Sequence, residues 1–296
     1  MDQAHRLREL AMQYGEPAGA RARVIAVTSG KGGVGKTNLS VGLSLAASSM
    51  GLDTVLFDCD LGLANVDLLL DLHTRYNLAH LISGQASLDE VLIPAPGGLK
   101  VLPGAAGVSR IADLSSVEQK TLIRALDRMV RRKDLIILDT GAGIGRAVID
   151  FCVAAGEVIV VTTPEPTAIA DAYATIKVLA QQRPAPTPWL VVNMAASRGE
   201  AEQVIDRVML LSRRYMSLEV RRGGYILDDP RVPTAVRRRQ HFFLSYPASE
   251  ASGCVREVAK NIGLTRERED SDGGFLSRIF ARWSPSPAPV TAAGTR

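Results

Sequence analysis

Short runs of β-branched and aliphatic residues alternate along most of this chain with longer stretches whose apolar positions recur every three to four residues. The short runs predict strands at residues 24–28, 54–58, 99–102, 135–139, 157–162, 190–193 and 218–220. The longer stretches predict helices at 37–49, 116–132, 145–155, 167–181, 200–215 and 248–262. Leu135-Ile136-Ile137-Leu138 and Val158-Ile159-Val160-Val161 are apolar at every position. Strands without polar alternation are buried on both faces, as happens in a parallel sheet between two layers of helices. The expected fold class is therefore α/β: a doubly wound, mostly parallel sheet flanked by helices, with ligands held beyond the carboxyl ends of the strands. Around this body (23–264) the pattern changes. It is preceded by an arm (1–22) and followed by a polar linker (265–272), a short apolar segment (273–283) and a Pro/Ala-rich tail (284–296) with too little apolar surface to fold.

Composition narrows the classes. Hydrophobic residues at 46% and charged residues at 22% exclude global disorder. The net charge of +4 is too small for a dedicated nucleic-acid binder, and no direct nucleic-acid contact is expected. Cys59, Cys152 and Cys254 form neither a disulfide framework nor a CxxC metal site. The start of the chain is charged from Asp2, unlike a secretory signal. No stretch approaches the roughly 18 apolar residues that span a bilayer. The expected localisation is cytoplasmic, with any membrane contact peripheral.

The sharpest chemical signal follows the first strand. Ser29-Gly30-Lys31-Gly32-Gly33-Val34-Gly35-Lys36-Thr37 carries GxxxxGKT from Gly30 to Thr37, between a strand and a helix, where a phosphate-binding P-loop must lie. The glycines let successive N–H groups turn toward phosphate oxygens, and the helix adds its positive dipole end. Lys36 is placed to reach β- and γ-phosphates and the Thr37 hydroxyl to bind Mg²⁺, so the expected ligands are ATP and Mg²⁺, held by residues 30–37 and the adjoining Asn38. Asp58 and Asp60 end the second strand on one side of it, and Asp139 ends the strand at 135–139 in a Walker B pattern, followed by Gly141 and Gly143. A carboxylate at a strand end can also be a plain helix cap.

The early lysine carries a resemblance. KGGxGKT, with Lys31 beside the motif's Lys36, resembles the deviant Walker A motif of the MinD/ParA class of P-loop ATPases. The resemblance implies that Lys31 crosses a homodimer interface to the partner's nucleotide, that Asp60 in a switch I segment orients the attacking water, and that Asp58 and Asp139 support the Mg²⁺ shell with Thr37. It also implies that Asn193, at the end of the 190–193 strand, hydrogen-bonds adenine. In the segment after it, Leu227 stands where the family usually has proline, and Asp228 is a weaker candidate for the base site. The iron–sulfur carriers of the same superfamily use a CxxC pair, which this chain lacks.

The two ends extend the picture. On a helical wheel at about 100° per residue, Phe275, Leu276, Ile279, Phe280 and Trp283 share one face, with Arg278 and Arg282 on the remainder. That composition suits an amphipathic helix at an anionic membrane surface. It also suits a terminal helix docked on the body, although the polar linker argues for an undocked one. MinD-type ATPases carry a similar targeting helix. Asp2, Gln3, Ala4, Leu7 and Arg8 fit the DQAxxLR element of the FlhG family (also called FleN or YlxH). In that family the element activates the GTPase FlhF. The resemblance implies a slow ATPase that dimerises with ATP, associates with the membrane and regulates flagellar number or placement. Flagellar switch proteins or a flagellar transcription regulator would be further partners. A MinD-like division-site regulator and a non-catalytic nucleotide-gated regulator are the alternatives. Residues 213–239 hold eight arginines and three acidic residues, either a solvated face or a surface for anionic lipid or an acidic partner.

Overall fold

A computed structural model describes residues 22–60, 65–104, 116–216, 218–265 and 274–283. The arm and its Asp2, Gln3, Ala4, Leu7 and Arg8 lie outside the described residues, as do most of the linker and the tail. Eight strands form one sheet: β1 (Arg23–Ser29), β2 (Thr54–Cys59), β3 (Ile93–Pro94), β4 (Lys100–Leu102), β5 (Leu135–Ala142), β6 (Glu157–Thr162), β7 (Thr187–Ala195) and β8 (Arg221–Leu227). Their order is β3-β4-β2-β5-β1-β6-β7-β8, and every pair is parallel except the short β3–β4 edge.

Twelve helices are described: α1 (Lys36–Ser49), α2 (Val66–Leu69), α3 (Leu78–Ile82), α4 (Leu88–Val91), α5 (Ser116–Arg132), α6 (Arg146–Ala155), α7 (Pro166–Ala180), α8 (Arg198–Met216), α9 (Arg231–Arg237), α10 (Phe242–Ser245), α11 (Glu250–Asn261) and α12 (Phe275–Trp283). Period-two alternation along the strands builds two cores. Val24, Ala26, Ile136, Leu138, Val158 and Val160 face α5, α6, α7 and α8. Ile25, Val27, Ile137, Ile159 and Val161 face α1 and α11. All eleven of those side chains but Val24 are 0–1% exposed, and burial of each contributes about 1.5–3 kcal/mol for the larger ones. α1 is buried on nearly all sides between sheet and α11, which its run of Leu, Val, Ala, Gly and Ser permits.

The doubly wound, mostly parallel sheet is as expected. The last strand is not: it lies at Arg221–Leu227 rather than at residues 218–220. Arg221, Arg222, Gly223 and Gly224 form no apolar run, yet they sit on an edge strand. There Arg221 covers the Trp189 ring, and Arg222 pairs with Glu202 and Asp206. A Cβ at Gly223 would come 2.7 Å from Val191 Cγ2, so β8 approaches β7 this closely only as glycine.

The second correction concerns α12, which the polar linker led us to expect free of the body. It is docked on α6. Phe275, Leu276 and Ile279 are buried, and Trp283 meets the Phe151 ring edge-on with centroids 5.9 Å apart. Its polar face is engaged too. Arg278 donates to the Ala154 carbonyl at 3.0 Å, and Arg282 pairs with Asp150 and donates to Gln182 at 2.9 Å. A polar linker sets the reach of the helix, not its preference. The end of α6 presents free carbonyls and an apolar stripe that this helix complements. The Phe280 side chain lies outside what the structure describes.

Candidate functional site

β1 lies beside β5 and β6 at the centre of the sheet, and the chain reverses its direction of strand addition there. The crevice at such a switch point opens past the carboxyl ends of the strands. A cavity of about 960 Å³ occupies it, lined by P-loop residues 32–33 and 35–38, by Cys59 and Asp60 after β2, by Gly141 after β5 and by Met194 at the end of β7. The P-loop turns through Gly33 and Gly35, with φ of 81° and 84°. Such conformations cost a side-chain-bearing residue and come free to glycine.

Polar groups converge beneath the loop. Lys36 is nearly buried, its Nζ 3.6 Å from Asp139 Oδ1, and Ser40 Oγ donates to the same oxygen at 2.8 Å. Parallel register sets Asp58 directly beside Asp139 on the neighbouring strand. Burial and the adjacent Asp139 push the Asp58 carboxyl up to about 7. Burial also raises Asp139, against the opposing pull of Lys36, Ser40 and Thr37. Two buried carboxyls side by side favour a cation between them and the phosphates. No group of three His, Cys, Asp or Glu among the described residues could hold a metal unaided. Asn38 Oδ1 is buried with no hydrogen-bond partner, as expected of an atom facing a ligand.

The carboxylates divide their work. Asp58 accepts the N–H groups of Asp60, Asn65 and Val66 at 3.1–3.3 Å, so it anchors the Asp60 backbone and the start of α2. These bonds fit the plain-cap reading of Asp58. Asp60 stands over β5, where a Cβ added to Gly141 would lie 3.5 Å from its Oδ1. Lys31 is exposed, and its Nζ contacts Glu165 Oε2 at 3.0 Å and Thr167 Oγ1 at 3.3 Å, at the start of α7. Asn193 turns its amide NH₂ onto the Val34 carbonyl at 2.8 Å. Asp228 is exposed, whereas Asp229 is buried and accepts from the backbone of Arg231 and Ala251. β8 ends at Leu227.

Two site residues escaped the sequence reading. His241 donates from Nε2 to the Asn38 carbonyl at 2.8 Å and accepts the Phe243 N–H at Nδ1, clamping α10 to the first turn of α1. Burial pushes its pKa down to about 4. Met194 lines the cavity with a positive φ of 57°. Neither carries a motif; a lone His before Phe-Phe and a Met after Asn are ordinary in sequence. The basic run of 213–239 is not one face. Arg221 and Arg222 are on the edge strand, while Arg231 pairs with Asp229 and Arg239 with Asp71 near the cavity.

Comparison with known proteins agrees with this geometry. A family model, ParA (NUBPL iron-transfer P-loop NTPase), matches residues 21–263. The antiactivator FleN of Pseudomonas aeruginosa is 39% identical over 81% of this chain and 86% of its own length. The chain belongs to the FlhG (FleN/YlxH) group of ParA/MinD-type P-loop ATPases. Within the family, the flagellum site-determining protein YlxH of Helicobacter pylori is 36% identical over 80% of each chain. The septum site-determining protein MinD of Pyrococcus horikoshii, solved with Mg-ADP, shares the fold at a TM-score of 0.67 and 22% identity over 82% of this chain and 96% of that one. Cys59, Cys152 and Cys254 are free thiols, Cys59 and Cys152 buried. No helix among the described residues is long and apolar enough to cross a membrane.

Proposed function

We propose that this chain is an ATP-dependent dimerising switch that regulates flagellar number or placement, binds the cytoplasmic face of the membrane and stimulates the GTPase FlhF. The observation that carries the ATPase reading is the convergence of Lys36, Thr37 and Ser40 on Asp139 beneath the deviant P-loop. The flagellar part rests on the names of the relatives FleN and YlxH. Mg-ADP in the Pyrococcus horikoshii neighbour supports the choice of ligand.

Thr37, Asp58 and Asp139 would hold Mg²⁺, and residues 30–38 the phosphates. The bound ion supplies charge neutralisation on the phosphates. The chain's own part is positioning. The P-loop amides and Lys36 fix the phosphates, Asp60 orients a water from switch I, and Gly141 lets the facing loop come close. Lys31 would serve the partner's nucleotide in a homodimer, which requires it to leave Glu165. Membrane attachment through Phe275, Leu276, Ile279, Phe280 and Trp283 requires α12 to leave α6. Residues 2–8 would reach FlhF.

The test is turnover and assembly together. Asp60→Ala should keep ATP binding and ATP-dependent dimerisation but lose hydrolysis by at least tenfold. Lys31→Ala should bind ATP and stay monomeric in sedimentation. Hydrolysis at the wild-type rate by Asp60→Ala would refute the switch I assignment. Co-purification with FlhF, with and without residues 1–10, separates this reading from a division-site regulator.

A further inference from the structure

The first turn of α1 carries Lys36 and Thr37, yet α1 does little to hold that turn itself. Its N-cap is Gly35; among the described residues no side chain caps it, and its first turn has no acidic residue. A helix end without a cap leaves its leading N–H groups unpaired and is prone to fray. The turn is braced from other elements instead. Ser40 Oγ donates to Asp139 at 2.8 Å, and His241 Nε2 donates to the Asn38 carbonyl at 2.8 Å.

Histidine is an unusual choice at position 241. The residue is the N-cap of α10, where its Nδ1 accepts the Phe243 N–H at 3.2 Å. Short polar side chains (Ser, Thr, Asp and Asn) are the preferred caps. None of them reaches as far as the second nitrogen of an imidazole. In the neutral ring one nitrogen accepts and the other donates, so a single side chain caps α10 and braces α1. α1 is shaped to receive it. Gly42, one turn after Asn38, turns bare backbone toward the ring, and a Cβ there would lie 3.3 Å from His241 Cε1. Glycine is a poor residue for a helix interior, and the close approach of the ring accounts for it here. His241 is 1% exposed and lies against the Phe242 ring with centroids 4.4 Å apart, so the brace is itself firmly held.

We propose that His241 is a positioning residue for nucleotide binding: its Nε2–H holds the first turn of α1 so that the N–H groups of residues 36–38 and the Thr37 hydroxyl are set before phosphate arrives. The proposal rests on the reading of the cavity as an ATP site. Donors already in place bind an anion without an ordering cost, whereas a frayed turn must be ordered at the expense of affinity. His241 acts only through Asn38. Its Nδ1 serves the fold and its Nε2 serves the site.

Substitution separates the two roles. Asparagine sets its amide oxygen near the place of Nδ1, and glutamine sets its NH₂ near the place of Nε2. His241→Asn therefore keeps the cap on α10 and loses the brace on α1, while His241→Gln keeps the brace. Calorimetric titration with Mg-ADP and hydrogen exchange of the nucleotide-free protein read the difference. His241→Asn should bind Mg-ADP about fivefold more weakly, the scale of one hydrogen bond. The amides of residues 39–42 should exchange about tenfold faster in it, with β1 and β5 unchanged. Saturating Mg-ADP should remove that difference. His241→Gln should bind within about a factor of two of the wild type. Wild-type affinity in His241→Asn overturns the proposal. An equal loss in His241→Gln also overturns it, because the ring's packing rather than its donor would then be responsible. Faster exchange spread over β1 and β5, or failure of His241→Asn to fold, would make His241 a general support of the fold and likewise overturn it. All of these leave the ATP reading intact. A wild type that does not bind Mg-ADP overturns that reading and this proposal with it.

Discussion

The two ends of the central sheet are built on opposite principles. At the amino end, charges are satisfied. The Arg23 guanidinium grips Glu157 at 2.7 and 2.8 Å and donates to the Ile262 and Gly263 carbonyls, and Trp189 Nε1 adds a third donor to Glu157. Burial alone would raise Glu157, but the Arg23 guanidinium outweighs it and holds the carboxyl below its usual range. α12 closes the same end, where Arg278 takes the carbonyls that finish α6. At the carboxyl end, Asp58 and Asp139 are buried side by side. Asp71, Met194 and Arg239 hold positive φ, and Asn38 Oδ1 has no partner. One end holds the fold together; the other stores strain and unmet polar demand where a ligand can meet them.

Breaking each end should therefore give different readouts. The largest effect is expected from Lys36→Ala. Its ammonium is the buried cation beside Asp139, and its loss should abolish measurable ATP binding by calorimetry, a fall of at least a hundredfold. The fold should remain, as judged by circular dichroism. Retained binding would show that the carboxyl end is not organised around phosphate.

A smaller effect should come from acidity. Asp58, raised to about 7, is protonated in the folded, metal-free protein at pH values where the unfolded chain has lost the proton. Its contribution is present below about pH 4 and lost as pH rises toward 7. His241, pushed down to about 4, works in reverse: its contribution is present above about pH 6.5 and lost as pH falls to 4. The two windows nearly coincide and oppose each other. His241→Gln should remove one of them, so that urea-denaturation stability of the metal-free variant falls more steeply with pH than that of the wild type. The difference is at most about 1.4 kcal/mol per pH unit. Parallel pH profiles would show that His241 is not held neutral by burial.

The third expectation concerns the amino end. Arg23→Ala strands the half-buried Glu157 and frees two carbonyls, which should lower unfolding stability by about 2 kcal/mol. ATP affinity should stay within a factor of about two, because the loss is confined to the far end of the sheet. A large fall in affinity would break the division between the ends.

Much of this was legible in the chain because it is local. The GxxxxGKT spacing, the apolar strands and the carboxylates after Phe57 and Leu138 depend on sterics and periodicity within a few residues. The strand at Arg221–Leu227 was hidden, since two arginines and two glycines form no apolar run; Trp189, Glu202 and Val191 beside them supply their partners. The sequence by itself determined the fold class and the P-loop. The tertiary structure alone decided that Asp58 and Asp139 are neighbours, that His241 holds Asn38 across 203 residues, and that α12 lies on α6. Those pairings follow from strand order and packing, in which free energy depends on which distant surfaces meet and not on the spacing of residues along the chain.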